Sequence, residues 1–522
     1  MDKTMRYAIG QQDFKTLRED DALYVDKTAF VDKIAKSKGK YFFLARPRRF
    51  GKSLFLSTLR YFFEGRRELF KGLYIDSSEW DWEPYPVLRL DLNAERYAEP
   101  NLLDHVLNNL FKDWEATYDV ADLAEDFPTR LHNIIKAAHR KTGQQVVILV
   151  DEYDKPLVGN LNKEKNFEHY RAKLASIYSN FKSSAEHIRL VFLTGVSRFS
   201  KLSVFSDLNN LNDISFDNEY ADICGITEKE LLDNFQPGIS ALAKEMEVTY
   251  NDACLVLKHN YDGYRFARKG SDIYNPWSVM CCLSKLHPSN YWSMTGGATV
   301  VAESLYNFDV NLEEILNTRC DFQSLVGLDL RNADPLALLY QTGYLTIKDY
   351  DRESDTITLG IPNREVKDDL SRVLLPFYIK LRKGSVDGKI RDLLTSMRLG
   401  EPEKMMTTLK AFFAGIPYDL KMENENNFQN AIFVLVSLIG ANAKAEDRTS
   451  DGRIDLTIET PKYVYIIELK YDSSSRAAID QINEKQYALK YLTDDRKVFK
   501  IGANFSSKTR TIENPIIEEV QP

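Results

Sequence analysis

The stretch FLARPRRFGKSLFL, residues 43–56, decides how the first half of the chain is interpreted. It contains Gly51, Lys52 and Ser53 ahead of a helix-like pattern, as in the phosphate-binding loop G-x-x-x-x-G-K-[ST]. The first glycine of that loop is absent, because Arg46 holds its place. Two interpretations are therefore open: a nucleotide site with an altered loop, or a basic turn that resembles one by chance.

The composition sets the outer limits. A chain of 522 residues is too long for one hydrophobic core, so two to four domains are expected. Its 43% hydrophobic and 28% charged residues are typical of a soluble globular protein, and its net charge of −8 argues against indiscriminate nucleic-acid binding. The five cysteines include no C-x-x-C pair, which indicates neither a disulfide framework nor a zinc site.

The same sequence offers no segment for a membrane. The start, MDKTMRYAIGQQDF, has no apolar signal core. The apolar run 431–441 is far shorter than a membrane span and fits a buried helix. We therefore expect a cytoplasmic protein with no membrane partner.

Changes of pattern along the chain predict its domains. Short apolar strands alternate with amphipathic helices from about residue 40 to 220, as in an α/β domain with a parallel sheet. The chain then becomes mostly helical, and residues 335–365 have the helix, strand, turn and strand order of a winged-helix module. The predicted domains are an α/β domain 1–222, a helical and winged-helix-like region 223–375, a helical connector 376–420 and a second α/β domain 421–522.

The context of the loop favours the nucleotide interpretation. A phosphate loop needs a second buried strand that ends in acid, because Mg²⁺ requires a carboxylate facing the phosphates. The apolar run 146–150 is followed by Asp151, which would hold the magnesium shell together with Ser53, and by Glu152, which would polarise the attacking water. A further strand, RLVFLTG, ends in Thr194, where a sensor of the γ-phosphate could sit. Arg198 follows it and could reach the same phosphate or be an ordinary surface arginine.

The missing glycine has a structural consequence. Glycine permits a positive φ and a close approach of the backbone to phosphate. Arg46 cannot do this cheaply, and Pro47 restrains it towards extended geometry. We therefore expect a different path before Gly51, with arginine side chains (Arg48 and Arg49 among them) near the phosphates. On this interpretation we expect Arg46→Gly to be tolerated or only mildly altered.

The order of the motifs adds a resemblance. RPRRFGKSL, DEYDKPL, TGVSRFS, YDGYRF, YNPWSV and YQTGYLTI occur in the order seen in a family of poorly characterised bacterial proteins, and the resemblance covers nearly the whole chain. Those proteins look like AAA-type P-loop ATPases with a C-terminal PD-(D/E)XK nuclease-like domain. The resemblance implies that the absent glycine is a family trait. It also implies ATP and Mg²⁺ as cofactors, with Lys52, Ser53, Asp151 and Glu152 in the roles given above.

A second constellation lies in DGRIDLTIETPKYVYIIELKYD, residues 451–472. Asp455 falls in one strand, and Glu468 and Lys470 fall in the next. Because side chains alternate along a strand, Glu468 and Lys470 share one face. The two carboxylates can therefore converge on one divalent cation, for which Mg²⁺ is suited, with Lys470 beside them to hold or activate a water.

The resemblance extends this site. It implies a role for Glu425 in an acidic first helix, and it places Gln481 on a following helix. Residues 462–510 contain ten Lys or Arg and six acids, a local net charge of +4 that suits phosphate contacts or an ordinary solvated face.

Together these features predict an ATP-dependent or ATP-gated nuclease that acts on DNA in the bacterial cytoplasm. They are compatible with a homo-oligomer. ATP binding would rearrange the helical and winged-helix middle and admit DNA to the metal site. One alternative is a nucleotide switch whose nuclease-like domain only binds a partner or nucleic acid. Another is a DNA-binding protein in which neither site turns over.

Overall fold

The chain forms two compact units in a computed structural model. The first comprises Met1–Thr295 and Thr318–Glu365, and the second comprises Gly296–Asn317 and Val366–Pro522. The structure describes residues 7–95, 97–121, 124–160, 163–198, 210–292, 318–325, 335–378, 383–413, 443–449, 452–491, 494–509 and 511–520, together with positions 305, 316, 430, 431 and 434.

A five-stranded parallel sheet organises the first unit. Its strands are β1 Tyr41–Ala45, β2 Val87–Asp91, β3 Val146–Asp151, β4 Ile188–Gly195 and β5 Asn212–Asp213. In space they follow the order β2-β3-β4-β1-β5, so β4 lies between the strand that enters the phosphate loop and the strand that ends in acid. Every residue of β3 is buried, which explains its continuous apolar run.

The register brings the carboxyl ends of the strands to one edge. Ala45 pairs with Gly195 across β1 and β4, and Asp91 pairs with Asp151 across β2 and β3. Ligands of open α/β sheets bind in the crevice outside the carboxyl ends of the strands. This edge is therefore where the candidate nucleotide residues gather.

Helices cover the sheet. They are α1 Phe14–Glu19, α2 Thr28–Lys36, α3 Lys52–Phe63, α4 Leu102–Thr117, α5 Phe127–Thr142, α6 Lys155–Val158 and α7 Glu164–Ser183. Helix α5 shows why they form: its buried residues Leu131, Ile134, Ile135 and Ala138 recur at the spacing of one helical face. That face joins α4 and α7 in the main hydrophobic core of the sheet.

The remainder of the first unit is mostly helical, as expected from the sequence. Its elements are β6 Ile226–Thr227, α8 Glu228–Asn234, α9 Gln236–Glu245, α10 Tyr250–Tyr261, β7 Ile273–Tyr274, α11 Pro276–Lys285, β8 Arg319–Asp321, α12 Pro335–Thr342, β9 Thr346–Asp351 and β10 Thr356–Gly360. Thr227 and Glu230 make the capping box that opens α8. The helix and two strands expected within 335–365 are present, and β10 pairs antiparallel with both β8 and β9.

The second unit is built on a mixed sheet in the order β11-β12-β13-β14-β15. Its elements are α13 Arg364–Tyr378 (which begins at the unit boundary), α14 Lys383–Leu399, α15 Pro402–Phe413, β11 Ala443–Thr449, β12 Gly452–Glu459, β13 Tyr463–Tyr471, α16 Ser475–Glu484, β14 Lys497–Ser506 and β15 Thr511–Glu519. Strands β13 and β14 are parallel and are joined through α16, whereas the other neighbours are antiparallel. A Cβ at Gly502 would lie 2.5 Å from the Ser475 carbonyl oxygen, so glycine lets α16 pack directly on β14.

The predicted fold class is confirmed: a parallel α/β sheet domain, a helical middle and a C-terminal α/β domain. Within the described ranges, no helix has both the length and the apolar character needed to cross a membrane.

Candidate functional sites

The phosphate loop runs from Arg46 to Gly51, between β1 and α3. Gly51 has a φ of 95° with open space around its Cα, so backbone conformation and not crowding favours glycine there. Lys52 is buried, and its Nζ donates to the carbonyl oxygens of Arg46 (3.0 Å) and Pro47 (3.1 Å). The lysine ammonium therefore lies inside the curve of the loop.

Arg46 does not contribute to a phosphate surface, contrary to the expectation from the sequence. It is 2% exposed, and its guanidinium donates to the carbonyl oxygens of Ala45 (2.9 Å), Ser215 (2.7 Å) and Tyr220 (3.0 Å). The guanidinium also lies 4.4 Å from the centre of the Phe266 ring. Arg46 is thus a structural residue that fixes the start of the loop, and the expectation that Arg46→Gly is tolerated conflicts with this role.

Arg49 is also held by the protein. Its φ is 67°, its guanidinium lies 3.9 Å from the centre of the Trp277 ring, and Nη1 donates to the Tyr291 carbonyl oxygen at 3.2 Å. Phe50 packs edge-on against the rings of Tyr264 and Phe266. The YDGYRF and YNPWSV motifs therefore support the loop from outside.

Arg48 differs from these two neighbours. It is partly exposed and makes no hydrogen bond or ion pair to any residue that the structure describes. Of the three arginines in the loop, it is the one whose charge remains available to a ligand.

An apolar cavity opens beside the loop. It has a volume of about 90 Å³, and its walls include Leu23, Phe50, Ile223 and Pro276, with Gly51 at one side. Such a cavity next to a helix N-terminus can take a flat apolar group attached to phosphates.

The acidic strand meets the neighbouring strand through side chains. Thr194 Oγ1 donates to Asp151 Oδ1 at 2.8 Å, and the Ser53 hydroxyl also hydrogen-bonds the Asp151 carboxylate. Burial raises the pKa of Asp151 above its ordinary value, and the bonds from Thr194 and Ser53 oppose that shift. Ser53, Asp151 and Thr194 are therefore brought together as the sequence predicted.

Glu152 follows directly, at a φ of 50°. This left-handed conformation is costly for a residue with a side chain and persists where the surroundings impose it. Its carboxylate is partly exposed and has no hydrogen-bond partner in the described part of the chain. The residue is thus placed beside Asp151 with a carboxylate that is unpaired among the described residues.

Sequence reasoning gave no role to Asp154 of the same motif. Asp154 is 1% exposed and accepts hydrogen bonds from the backbone N–H groups of Val196 (3.1 Å) and Ser197 (2.6 Å). Burial raises its pKa to about 6. No local sequence signal points to this contact, because Val196 and Ser197 lie more than 40 positions further along the chain.

Arg198 forms an ion pair with Asp213 inside the first unit. Its guanidinium binds the Asp213 carboxylate and lies 4.3 Å from the centre of the Phe216 ring, and its backbone N–H donates to Gln341 Oε1 at 2.9 Å. The arrangement places this arginine in a network with α12 and gives no support to a γ-phosphate contact.

The second candidate site lies on β12, β13 and α16. The Leu469 backbone N–H donates to Asp455 Oδ2 at 2.8 Å, which holds that carboxylate against β13. Glu468 is 1% exposed, and its Oε1 accepts from Lys470 Nζ (3.2 Å) and from the Gln481 side-chain amide. Lys470 also donates to Gln481 Oε1, so Asp455, Glu468 and Lys470 come together with Gln481.

The electrostatics of this site suit a divalent cation. Glu468 Oε2 is buried and has no hydrogen-bond donor among the residues that the structure describes. Its pKa is raised to about 7, because burial and the Asp455 carboxylate disfavour the charged form more than Lys470 favours it. A buried oxygen without a donor beside a second carboxylate fits a hard cation with oxygen ligands. Within the described ranges, this site included, no group of three or more His, Cys, Asp or Glu side chains is arranged to hold a metal, so the protein ligands here are the two carboxylates alone.

Two further expectations have different outcomes. Glu425 lies outside the described residues. Half of the ten basic residues in segment 462–510 form ion pairs with acids of the same unit: Lys470, Arg476, Arg496, Lys497 and Lys500. Much of its positive charge is therefore neutralised, as on an ordinary solvated face.

These arrangements define the class of protein. A lysine-bearing phosphate loop, an acidic strand and a polar strand between them make an AAA-like P-loop ATPase domain. The carboxylates and lysine on β12 and β13 make a PD-(D/E)XK nuclease-like domain. A family model described as a predicted AAA-ATPase matches residues 8–205, and a model of the PD-(D/E)XK nuclease superfamily matches residues 423–515.

A relative extends this over the whole chain. A protein of Azotobacter chroococcum mcd 1, described as an uncharacterized protein in the vnfD 5' region, is 34% identical over 529 residues that cover 98% of each chain. The chain belongs to the same family as this relative, and it combines an AAA-ATPase-like domain with a PD-(D/E)XK nuclease-like domain.

Proposed function

We propose that the protein binds and hydrolyses ATP and that its C-terminal domain is a Mg²⁺-dependent nuclease acting on DNA, in the cytoplasm. The observation that carries the nuclease assignment is Glu468 Oε2, a buried carboxylate oxygen beside Asp455 and Lys470 that has no donor among the described residues. Such an oxygen is costly to bury, and a cation held together with Asp455 would satisfy it.

In the first unit, the chain's own residues account for nucleotide binding. The backbone N–H groups at the start of α3 and the Lys52 ammonium bind the phosphates, and the cavity beside Gly51 takes the base. Ser53 and Asp151 would hold Mg²⁺, whose charge would offset that of the phosphates. Glu152 orients the attacking water, and Thr194 senses the γ-phosphate through its bond to Asp151.

In the second unit, Asp455 and Glu468 are the protein ligands of the cation. When bound, Mg²⁺ supplies Lewis acidity and lowers the pKa of a water molecule. Lys470 places its ammonium beside the Glu468 carboxylate, where it would stabilise negative charge that develops on the phosphate. Gln481 bonds both Glu468 and Lys470 and so fixes their relative orientation.

A second candidate function is an ATP-driven switch whose nuclease-like domain only binds a partner or nucleic acid. The observation that favours it is the pairing of the basic residues in 462–510 with acids of the same unit. These pairs leave fewer positive charges for a DNA backbone than the sequence suggests.

A cleavage assay decides between the two. Purified protein is incubated with single-stranded and double-stranded DNA and RNA, with Mg²⁺ or Mn²⁺, and with and without ATP. Cleavage of DNA that is lost in Asp455→Ala and kept in Glu518→Gln, a surface carboxylate of the same sheet, supports the nuclease. ATP turnover without any cleavage supports the switch.

A further inference from the structure

Asp154 occupies a helix-capping position without capping the helix. It precedes α6, yet its side chain makes no hydrogen bond to that helix. Its carboxylate instead accepts from Val196 and Ser197, the two residues that follow β4. A buried carboxylate with backbone N–H donors forms strong, charge-assisted bonds. The turn after β3 is therefore tied to the end of β4.

Tyr153 adds two further hydrogen bonds between the turn after β3 and the end of β4. Its backbone N–H donates to the Thr194 carbonyl oxygen at 3.0 Å, and its hydroxyl donates to the Ser197 carbonyl oxygen at 2.9 Å. A Cβ at Gly195 would lie 2.6 Å from the Tyr153 ring and 2.7 Å from Asp154 Oδ1. Only glycine allows the two segments to approach so closely.

The contacts of Tyr153 and Asp154 with residues 194–197 lie next to the residues assigned to hydrolysis. Asp151 binds the Thr194 side chain and Tyr153 binds the Thr194 backbone, so Glu152 stands between two residues anchored to the same point of β4. The Gly195 carbonyl oxygen also accepts from the backbone N–H of Arg46, at the start of the phosphate loop. The end of β4 therefore links the loop to the acidic turn.

We propose that Asp154 is a positioning residue for ATP hydrolysis. Its carboxylate fixes the end of β4 against the turn after β3 and thereby sets where the Glu152 carboxylate and the Thr194 hydroxyl lie. It contacts neither phosphate nor water, and it acts on the turnover step more than on ATP affinity. This inference rests on the proposed ATP hydrolysis.

Graded variants test it in the full-length protein. Asp154→Ala removes the acceptor for both N–H groups, and we expect kcat for ATP to fall about 10- to 100-fold with the Kd of a non-hydrolysable ATP analogue within about twofold of the parent. Asp154→Asn should retain an intermediate kcat, because one amide oxygen at the Oδ2 position can accept from both Val196 and Ser197. Tyr153→Phe removes the bond to Ser197 alone and should also lower kcat.

The matched control is Asp32→Asn, which alters a carboxylate of the same unit that is also buried, lies outside both sites and keeps an acceptor oxygen for Trp80 Nε1. It should leave kcat unchanged. If Asp154→Ala does not fold, Asp154→Asn and Tyr153→Phe carry the test. A parental kcat in Asp154→Ala or in both milder variants, or an equal loss of kcat and ATP affinity, would overturn the inference while leaving hydrolysis intact. Absence of turnover in the parent would remove the proposed hydrolysis and this inference together.

Discussion

The guanidinium of Arg49 lies 3.9 Å from the centre of the Trp277 ring, so a residue of the phosphate loop rests on the first turn of α11. With Arg46 held by carbonyl oxygens of residues 215–220, the loop is supported from outside at two points. A standard loop relies on glycine for its tight path. Here external contacts fix the path, which explains how the loop does without its first glycine.

The first prediction concerns Arg46. Arg46→Gly should lower the stability of the first unit by about 3 kcal/mol or more, because three carbonyl oxygens lose a buried charged donor. The measurement is the midpoint of thermal unfolding of the first unit. The control is Arg48→Gly, which removes a partly exposed side chain from the same loop and should shift the midpoint far less. Equal midpoints for both variants and the parent would contradict the structural role.

The second prediction concerns Lys52. Lys52→Ala should remove most ATP binding, because its ammonium lies inside the curve of the loop, where the phosphates are expected to bind. Equilibrium binding of labelled ATP measures it. Lys36→Ala, a surface lysine paired with Asp32, serves as the control and should bind ATP as the parent does. Unchanged affinity in Lys52→Ala would mean that the loop is not a nucleotide site.

The third prediction separates binding from hydrolysis at Glu152. Glu152→Gln keeps the shape of the side chain and removes the charge that would orient water, so ATP should bind with parental affinity and turn over at least about 100-fold more slowly. Binding and single-turnover hydrolysis are measured on the same preparation. Loss of affinity as large as the loss of turnover would assign Glu152 a structural role.

The sequence predicted those parts of the molecule that depend on local pattern. The buried strands β3 and β4 could be recognised because a continuous apolar run needs a sheet covered on both faces. The grouping of Asp151 with Thr194 followed from strand ends that meet at one edge of the sheet. The pairing of Glu468 with Lys470 followed from the alternation of side chains along a strand.

Other contacts could not be predicted because they join residues far apart in sequence. Nothing near Arg46 indicates that its charge is taken up by carbonyl oxygens about 170 positions later. Asp154 has the local pattern of a helix cap, and only the position of β4 shows that its carboxylate bonds elsewhere. The basic segment 462–510 likewise has a net charge of +4 when its residues are counted along the sequence. Folding adds acids from outside the segment, because Glu518 and Glu519 of β15 pair with Lys500 and Lys497.

The fourth prediction tests the nuclease site independently of the ATPase. Asp455→Ala should remove metal-dependent DNA cleavage, because one of two cation ligands is lost, whereas basal ATP hydrolysis should survive. Lys470→Ala should keep Mn²⁺ binding and cut about 100-fold more slowly, since it removes charge stabilisation and not a ligand. Calorimetric Mn²⁺ titration and cleavage rates measure the two effects. Cleavage at the parental rate by purified Asp455→Ala would exclude the nuclease assignment.

The last prediction uses the raised pKa of Glu468, which moves from 4.5 to about 7 through burial and the Asp455 carboxylate. Between these values the folded protein holds a proton that the unfolded chain has released, so in a chelator the free energy of unfolding should fall as pH rises from about 5 to 8. The decrease due to this group is at most about 3 kcal/mol. Glu468→Gln cannot titrate, so it should lack this decrease and be more stable than the parent at pH 8.

Adding Mg²⁺ at pH 8 should then stabilise the parent, because a cation that binds only the folded state raises the free energy of unfolding, and it should not stabilise Glu468→Gln. Glu518→Gln, a surface carboxylate paired with Lys500, is the control and should follow the parent in both experiments. Urea unfolding across this pH range, with chelator and with Mg²⁺, makes the comparison. If parent and Glu468→Gln lose stability in parallel and respond equally to Mg²⁺, Glu468 is neither strained by its buried charge nor a ligand of the cation.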